Sequence, residues 1–154
     1  MDKKINLSTF NLSSYYQSAQ LLLTVGHYEP ALCLICCIMD KCAKTAYPNI
    51  TKNSERFKKW LSDNLPTITR YGLPSTFNKD CLFYVGTNIR GLYINKEGYT
   101  RLEDIIYNIR CSLVHENTID TSITFIDDCM FTFGDNHITL PKRLVVGLLK
   151  AVQN

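Results

Sequence analysis

The chain has 154 residues, enough for one domain with a substantial hydrophobic core, and we expect a single domain over 1–154. Hydrophobic residues make up 45% of it and charged residues 20%, a globular composition that excludes a disordered chain. The net charge of +3 permits nucleic-acid binding but is too small to predict it.

No secretory signal peptide is predicted, because the first thirty residues hold no long apolar run before a small-residue cleavage site. The most apolar run, Ala31 to Met39, is shorter than the roughly 20 residues that span a bilayer, so no membrane association is expected. The seven cysteines are predicted to be buried free thiols of a cytoplasmic protein. No second Cys-x-x-Cys or paired His follows the first such motif, so neither a metal nor a cofactor is predicted.

The N-terminal two-thirds of the chain predicts a helical bundle over 12–116, preceded by a loose segment over 1–11. Helical spacing of apolar residues favours a first helix from Leu12 to Val25, which Gly26 ends. A second helix is predicted from Glu29 to Tyr47. It is apolar almost all round in its first half, which is typical of a central, buried helix.

Asp40 interrupts this apolar helix. Either it begins the solvated half of the helix beside Lys41 and Lys44, or it is an inward carboxylate that serves Arg110. We favour the solvated position.

A short third helix is predicted from Glu55 to Asn64, capped by Ser54 and stopped by Pro66. Residues 67–76 hold two more breakers and are predicted to be a loop. The apolar members of the third helix share one face: Phe57, Trp60 and Leu61.

Residues 78–90 are ambiguous between a helix and a buried strand, and we favour a helix because the neighbouring segments are helical. Residues 91–100 are predicted to be a loop. Thr100 and Glu103 have the spacing of a capping box for the helix that follows.

That next helix, Arg101 to Glu116, carries the chemically informative residues. Its buried stripe is predicted to comprise Leu102, Ile105, Ile106, Ile109 and Leu113. Arg110 lies on or beside this stripe, where a charge needs a partner or a chemical role. His115 follows five residues later, about 140° around the helix axis.

Arg110 and His115 favour one chemistry in particular. Arginine holds phosphate through a planar fork, and histidine exchanges protons near neutral pH. Together they suggest phosphodiester cleavage without a metal, with the two side chains flanking a cleft or meeting a second copy across a two-fold axis. The alternative is a structural ion pair for Arg110 and a helix-dipole position for His115.

The C-terminal part predicts a small antiparallel β-meander over 121–140 and a closing helix over 141–152. The strands are expected at Thr121–Ile126, Cys129–Phe133 and His137–Leu140, with turn residues between them. Pro141 is expected to open the closing helix.

The segment Tyr107-Asn-Ile-Arg-Cys-Ser-Leu-Val-His-Glu116 closely resembles the signature of the HEPN superfamily (higher eukaryotes and prokaryotes nucleotide-binding domains). That signature is an arginine, four to six residues and a histidine, late in a helix of a small bundle. The order of predicted elements is similar over roughly 12–152. The resemblance implies a mainly α fold, a bundle of about five to six helices with a β-hairpin or meander before the last helix.

Many HEPN proteins are metal-independent ribonucleases that act as toxins or defence components, with an active site formed across a homodimer. The resemblance implies that His115 acts as general base or acid on the ribose 2′-hydroxyl or the leaving oxygen, and that Arg110 holds the phosphate. The implied partners are RNA, a second copy of the chain, and an antitoxin or nucleotidyltransferase.

One position departs from the catalytic pattern. Catalytic HEPN members often carry Asn, Asp or His directly after the arginine, whereas this chain has Cys111. Members without activity serve as binding modules for RNA, a nucleotide or a protein, so that alternative stays open. The candidates for supporting residues around the site are Ser112, Glu116, Cys111 and Asp40.

Overall fold

The computed structural model describes residues 7–114 and 121–153, with side chains from residue 12 onward. The fold is mainly α, as predicted, with six helices in the described residues. In chain order the elements are α1 (Leu7–Thr24), α2 (Tyr28–Ala46), α3 (Asn53–Asp63), α4 (Leu65–Gly72), β1 (Phe83–Tyr84), β2 (Tyr99–Thr100), α5 (Leu102–Val114), β3 (Ser122–Ile126), β4 (Thr132–Gly134), β5 (His137–Pro141) and α6 (Lys142–Val152).

Helix α2 is the central element, as its apolar sequence predicted. It packs against α1, α3, α5 and α6. Its buried positions recur at helical spacing and include Leu32, Ile35 and Met39, none of which is exposed to solvent. The side chains that serve the candidate site therefore extend from a helix held on several sides.

Helix α1 begins five residues earlier than predicted. Residues 7–11 belong to this helix, so the prediction of a loose segment is wrong for them, while 1–6 lie outside the described residues. Gly26 follows the end of α1 with a φ of +81°, the left-handed conformation that glycine adopts most easily.

Helix α4 is an element that the sequence analysis missed, since 67–76 were predicted to be a loop. Pro66 lies in the first turn of α4 rather than ending α3, and proline is well tolerated there because the first N–H groups of a helix have no internal partner. Helix α3 begins at Asn53, so Ser54 is inside the helix and is not its cap.

Helices α4 and α6 cross at two glycines. A Cβ on Gly72 would lie 2.6 Å from the carbonyl oxygen of Arg143, and one on Gly147 would lie 2.7 Å from that of Ile68. Both approaches are to backbone atoms, which cannot rotate away. The two helix axes can come this close only because neither position has a side chain.

The predicted helix over 78–90 is wrong. Phe83 and Tyr84 form β1, which pairs antiparallel with β2 at Thr100 and Tyr99. The hydroxyl of Thr100 donates to the carbonyl oxygen of Tyr93 at 2.7 Å, so it is committed to the loop before β2 and not to a capping box.

The second sheet has the strand order β3-β5-β4, which differs from the predicted meander. Strands β4 and β5 form the expected antiparallel hairpin, turning at Asn136 with a φ of 48°, but β3 pairs with β5 in parallel. Strand β5 is the most buried of the three, with Ile138 and Leu140 in the core. A strand with so many apolar side chains is most stable in the central position, where neighbouring strands cover both of its edges.

Helix α6 follows Pro141 as predicted and buries Leu144, Val145, Leu148 and Leu149. Among the helices of the described residues, none has both the length and the hydropathy needed to cross a membrane.

We predict that Gly147→Ala destabilises the protein by about 1–3 kcal/mol through overpacking, although alanine is better than glycine in a helix by about 1 kcal/mol. Urea unfolding of both proteins measures the difference. Gly134→Ala is the control, since a Cβ there would meet its nearest neighbour at an ordinary 3.6 Å. A Gly147→Ala protein as stable as the wild type would show that the two helices do not depend on this close approach.

Candidate functional site

Helix α5 lies on the core through the stripe that its sequence predicted. Leu102, Ile105, Ile106 and Ile109 are buried, and the helix packs against α2 and α3. Its buried amide, Asn108, donates to the carbonyl of Arg90 at 2.9 Å and accepts a hydrogen bond from the hydroxyl of Thr121 at 3.0 Å. These contacts fix the rotation and depth of α5 and hence the position of Arg110.

Arg110 is 7% exposed and is held by Asp40 of α2. Its Nε lies 3.2 and 3.0 Å from the two carboxylate oxygens of Asp40, and its Nη2 lies 2.9 Å from Oδ2. The solvated position favoured for Asp40 is therefore wrong, and the alternative, an inward carboxylate serving Arg110, is correct. A guanidinium beside a buried stripe requires a counter-charge, and Asp40 follows the buried Cys36 by one helical turn.

The charge of Arg110 is secured by this pairing. Burial alone lowers the pKa of Arg110, but the hydrogen bonds and the negative charge of Asp40 outweigh it and raise the pKa above its ordinary value. The side chain thus carries a permanent positive charge in a largely desolvated place.

Tyr107 covers another side of the guanidinium. The Cζ of Arg110 lies 5.7 Å from the centroid of the Tyr107 ring, and the Nζ of Lys58 lies 5.3 Å from the same centroid. Lys58 also forms a 2.7 Å ion pair with Asp104. A line of interacting charged and aromatic groups therefore follows α5 from its first turn to Arg110.

A cavity of about 210 Å³ opens beside the Arg110–Asp40 pair. We call it the basic cavity, because four cationic side chains and one carboxylate contribute to it: its lining residues are Asp40, Lys41, Ala43, Lys44, Asn53, Arg56 and Arg110. Arg56 is held in place by the carbonyl of Ile50 and the side chain of Asn53. Among the described residues, neither Lys41 nor Lys44 has an ion-pair partner.

The cations of the basic cavity other than Arg110 were not predicted from the sequence to belong to the site. Lys41 and Lys44 stand next to Asp40 on α2, so a paired Asp40 was the signal that would have placed them at the site. Arg56 lies on α3, so its position at the cavity depends on how α3 packs against α2. No local pattern in the sequence reports that packing.

A family model, Rv1289, matches residues 18–153. The chain belongs to the Rv1289 family. The matched range takes in α2 to α6 and the C-terminal part of α1, and so includes every residue that lines the basic cavity. No curated protein and no solved structure matches the chain.

Of the remaining predicted site residues of this Rv1289-family chain, two lie within the described residues and two lie outside them. Cys111 is buried with its Sγ 3.8 Å from Nη1 of Arg110, and the hydroxyl of Ser112 donates to the carbonyl of Asn108 within the same helix. Ser112 is thus committed to α5 and does not line the basic cavity. His115 and Glu116 lie outside the described residues, so their roles remain predictions from the sequence.

The cysteines are free thiols, as predicted, but only Cys36 and Cys111 are buried and the other five are partly exposed. Three of the cysteines on α2, Cys33, Cys36 and Cys37, lie close together in the sequence. Burial raises the pKa of each of these thiols above its ordinary value. They therefore remain protonated near neutral pH and behave as small apolar groups rather than as nucleophiles.

We predict that Asp40→Ala costs about 1–3 kcal/mol of unfolding free energy, less than the roughly 3–5 kcal/mol of a fully buried pair because its carboxylate is partly solvated. The substitution leaves Arg110 charged and nearly buried without its partner. Guanidinium chloride unfolding measures the loss.

The matched control is Asp127→Ala, which removes the carboxylate of the exposed Lys142–Asp127 pair. It should change stability by less than about 0.5 kcal/mol. Equal effects at the two positions would contradict the structural importance assigned to the Asp40–Arg110 pair.

Proposed function

We propose that this chain is a metal-independent endoribonuclease of HEPN type, in which Arg110 and His115 act on the RNA phosphate at a homodimer interface. The observation that carries the proposal is the placement of Arg110. The arginine of the Arg-x4-His motif is fixed in orientation and opens onto a cavity with three further cations.

The basic cavity has the chemistry of a phosphodiester site. Lysine ammonium groups attract phosphate as point charges, and a preorientated guanidinium donates directional hydrogen bonds to its oxygens. Asp40 occupies Nε and one proton of Nη2, and one proton of Nη1 faces the Sγ of Cys111, which leaves one N–H on each Nη for a ligand. Fixing Arg110 before the substrate arrives removes an ordering cost from the reaction.

In the proposed reaction the ribose 2′-oxygen attacks the adjacent phosphorus, and the bond from phosphorus to the 5′-oxygen breaks. His115 takes the proton of the 2′-hydroxyl or gives one to the departing 5′-oxygen, and Arg110 stabilises the charge on the phosphoryl oxygens. The products are a 2′,3′-cyclic phosphate and a 5′-hydroxyl. RNA is cut and DNA is not, because only ribose carries the nucleophile.

A homodimer supplies the second histidine that one chain lacks. One copy of the motif provides a single histidine, whereas the reaction uses both a base and an acid. Two copies that meet across a two-fold axis bring both histidines and both arginines to one site. A toxin or defence role, controlled by an antitoxin or nucleotidyltransferase, would follow from such an activity.

A second candidate function is a non-catalytic HEPN-type module that binds RNA, a nucleotide or a partner protein. Two observations favour it: Asp40 engages two of the three guanidinium nitrogens, and a buried thiol, Cys111, stands where catalytic members often have a polar group. Such a module would use the basic cavity for phosphate without turnover.

We predict that the wild-type protein cleaves a mixed RNA pool in EDTA and that His115→Ala lowers the rate by roughly 10²–10⁴-fold, the usual contribution of general acid–base catalysis. Arg110→Lys keeps the charge but loses the fork, so it should also be impaired. Gel analysis of the RNA provides the rates.

Circular dichroism of each variant controls for folding. Cleavage by His115→Ala at the wild-type rate would refute the assignment of the site. Binding of RNA without cleavage by any of the proteins would favour the second candidate function.

We also predict that Lys44→Ala weakens RNA binding and lowers the slope of log K against log salt by about 0.7, the value for one lost phosphate contact on a single strand. A 2′-O-methyl oligonucleotide allows the titration without cleavage. Lys79→Ala, which removes an exposed cation outside the basic cavity, should leave the slope unchanged. Equal slopes for all three proteins would exclude Lys44 from the RNA-binding surface.

A further inference from the structure

The β1–β2 hairpin presents an unusual amount of aromatic surface to solvent. Tyr84 is 64% exposed, Tyr93 65% and Tyr99 38%. We call these three residues the tyrosine platform. None of them lines the basic cavity, and exposed apolar surface that is grouped in one place is typical of a binding site.

We propose that the tyrosine platform is a stacking subsite for the bases of single-stranded RNA, and this proposal rests on the function proposed above. Base–aromatic stacking is the usual way in which proteins hold single strands without reading their sequence. The phosphates of the same strand would occupy the basic cavity.

The ring of Tyr84 is built into the hairpin. A Cβ on Gly98 would lie 3.0 Å from its Cε2, and one on Gly86 would lie 3.3 Å from its Cε1, so the ring rests over two glycine backbones. Tyr99, its direct partner in the pairing of β1 with β2, meets it edge-on with ring centroids 5.5 Å apart. The ring is thus supported on one side while most of its surface faces solvent.

The loop between β1 and β2, which carries Tyr93 and leads into Tyr99, is held by its own hydrogen bonds. The Asn95 side-chain oxygen accepts from the backbone N–H of Glu97 and of Tyr99, and the Asn95 N–H donates to the Tyr99 carbonyl at 2.8 Å. Gly98 adopts a φ of +92° to close the turn. A platform ordered in advance binds a base with less loss of side-chain entropy.

A cavity beside the platform has room and polar groups for a nucleotide. It measures about 230 Å³ and is lined by Leu82, Tyr93, Asn95, Tyr99, Thr100, Arg101 and Asp104. Arg101 supplies an exposed cation there, and the carboxylate of Asp104 is neutralised by Lys58 at 2.7 Å. The cavity therefore offers stacking surface and one free positive charge, which suits a nucleotide better than an apolar peptide.

Helix α5 connects the two sites. Arg101 precedes its first turn and Arg110 lies near its last, so their Cα atoms are separated by about 14 Å along the helix axis at 1.5 Å per residue. Lys58 lies between them, in contact with Asp104 and Tyr107. In the proposed binding mode, a short strand would pass Lys58 between the basic cavity and the platform.

The test is fluorescence anisotropy with two 2′-O-methyl oligonucleotides of about eight nucleotides, one bearing bases and one abasic. The wild type should prefer the oligonucleotide with bases. Tyr84→Ala should weaken binding of that oligonucleotide roughly 5- to 150-fold, the range for loss of one stacked base, and leave the abasic one unchanged.

Three further variants complete the design. Tyr84→Phe should bind like the wild type, because it keeps the ring. Tyr71→Ala, which removes an exposed tyrosine on α4, should also bind like the wild type. Tyr84→Trp should bind and show fluorescence quenching by the stacked base, since the native Trp60 is buried and contributes little to that signal.

The outcomes separate this inference from the proposed function. If the wild type binds both oligonucleotides equally, or if Tyr84→Ala binds the one with bases normally, the stacking subsite is refuted while RNA binding stands. If the wild type binds neither oligonucleotide, RNA as the ligand is refuted and the subsite with it. If Tyr84→Ala alters only the mass of the protein in sedimentation, the platform is an interface between copies and not a stacking subsite.

Discussion

The ion pair between Arg110 and Asp40 is the constraint on which the candidate site depends. It joins the central helix α2 to the motif helix α5 through three hydrogen-bonding contacts. Lys41 and Lys44 lie on the same helix as Asp40, so the pair stands beside two further cations of the basic cavity. Removing either charge would leave the other in a place with little water, so the structural and chemical roles of the pair cannot be separated by simple truncation.

Positive charge on this protein is concentrated by packing rather than by sequence. A net charge of +3 spread over 154 residues predicts little about nucleic-acid binding. Packing α3 against α2 brings Arg56 beside the lysines of α2, and four cations surround one cavity with a single carboxylate among them. Local charge of this kind attracts a phosphate far more strongly than the average over the molecule suggests.

Helices α2 and α6 and the start of α5, each with a clear apolar period, were predicted from the sequence to within one residue, because one face of each lies on the core. The predicted end of α5 lies outside the described residues. Helix α4 was missed since Pro66 was interpreted as a breaker and not as a first-turn residue. The hairpin of Phe83 and Tyr84 was missed because its strands are only two residues long and have no period. Pairing with Arg110 was one of the two alternatives for Asp40. The choice between them depends on the distance between α2 and α5, which the periodicity of the sequence does not give.

The most direct test of the central claim is the chemistry of the RNA ends after incubation with the protein in EDTA. We predict 5′-hydroxyl ends and 2′,3′-cyclic phosphates, the products of attack by the ribose 2′-oxygen at the Arg110–His115 site. Products with 5′-phosphates, or an RNA pool left intact, would contradict it.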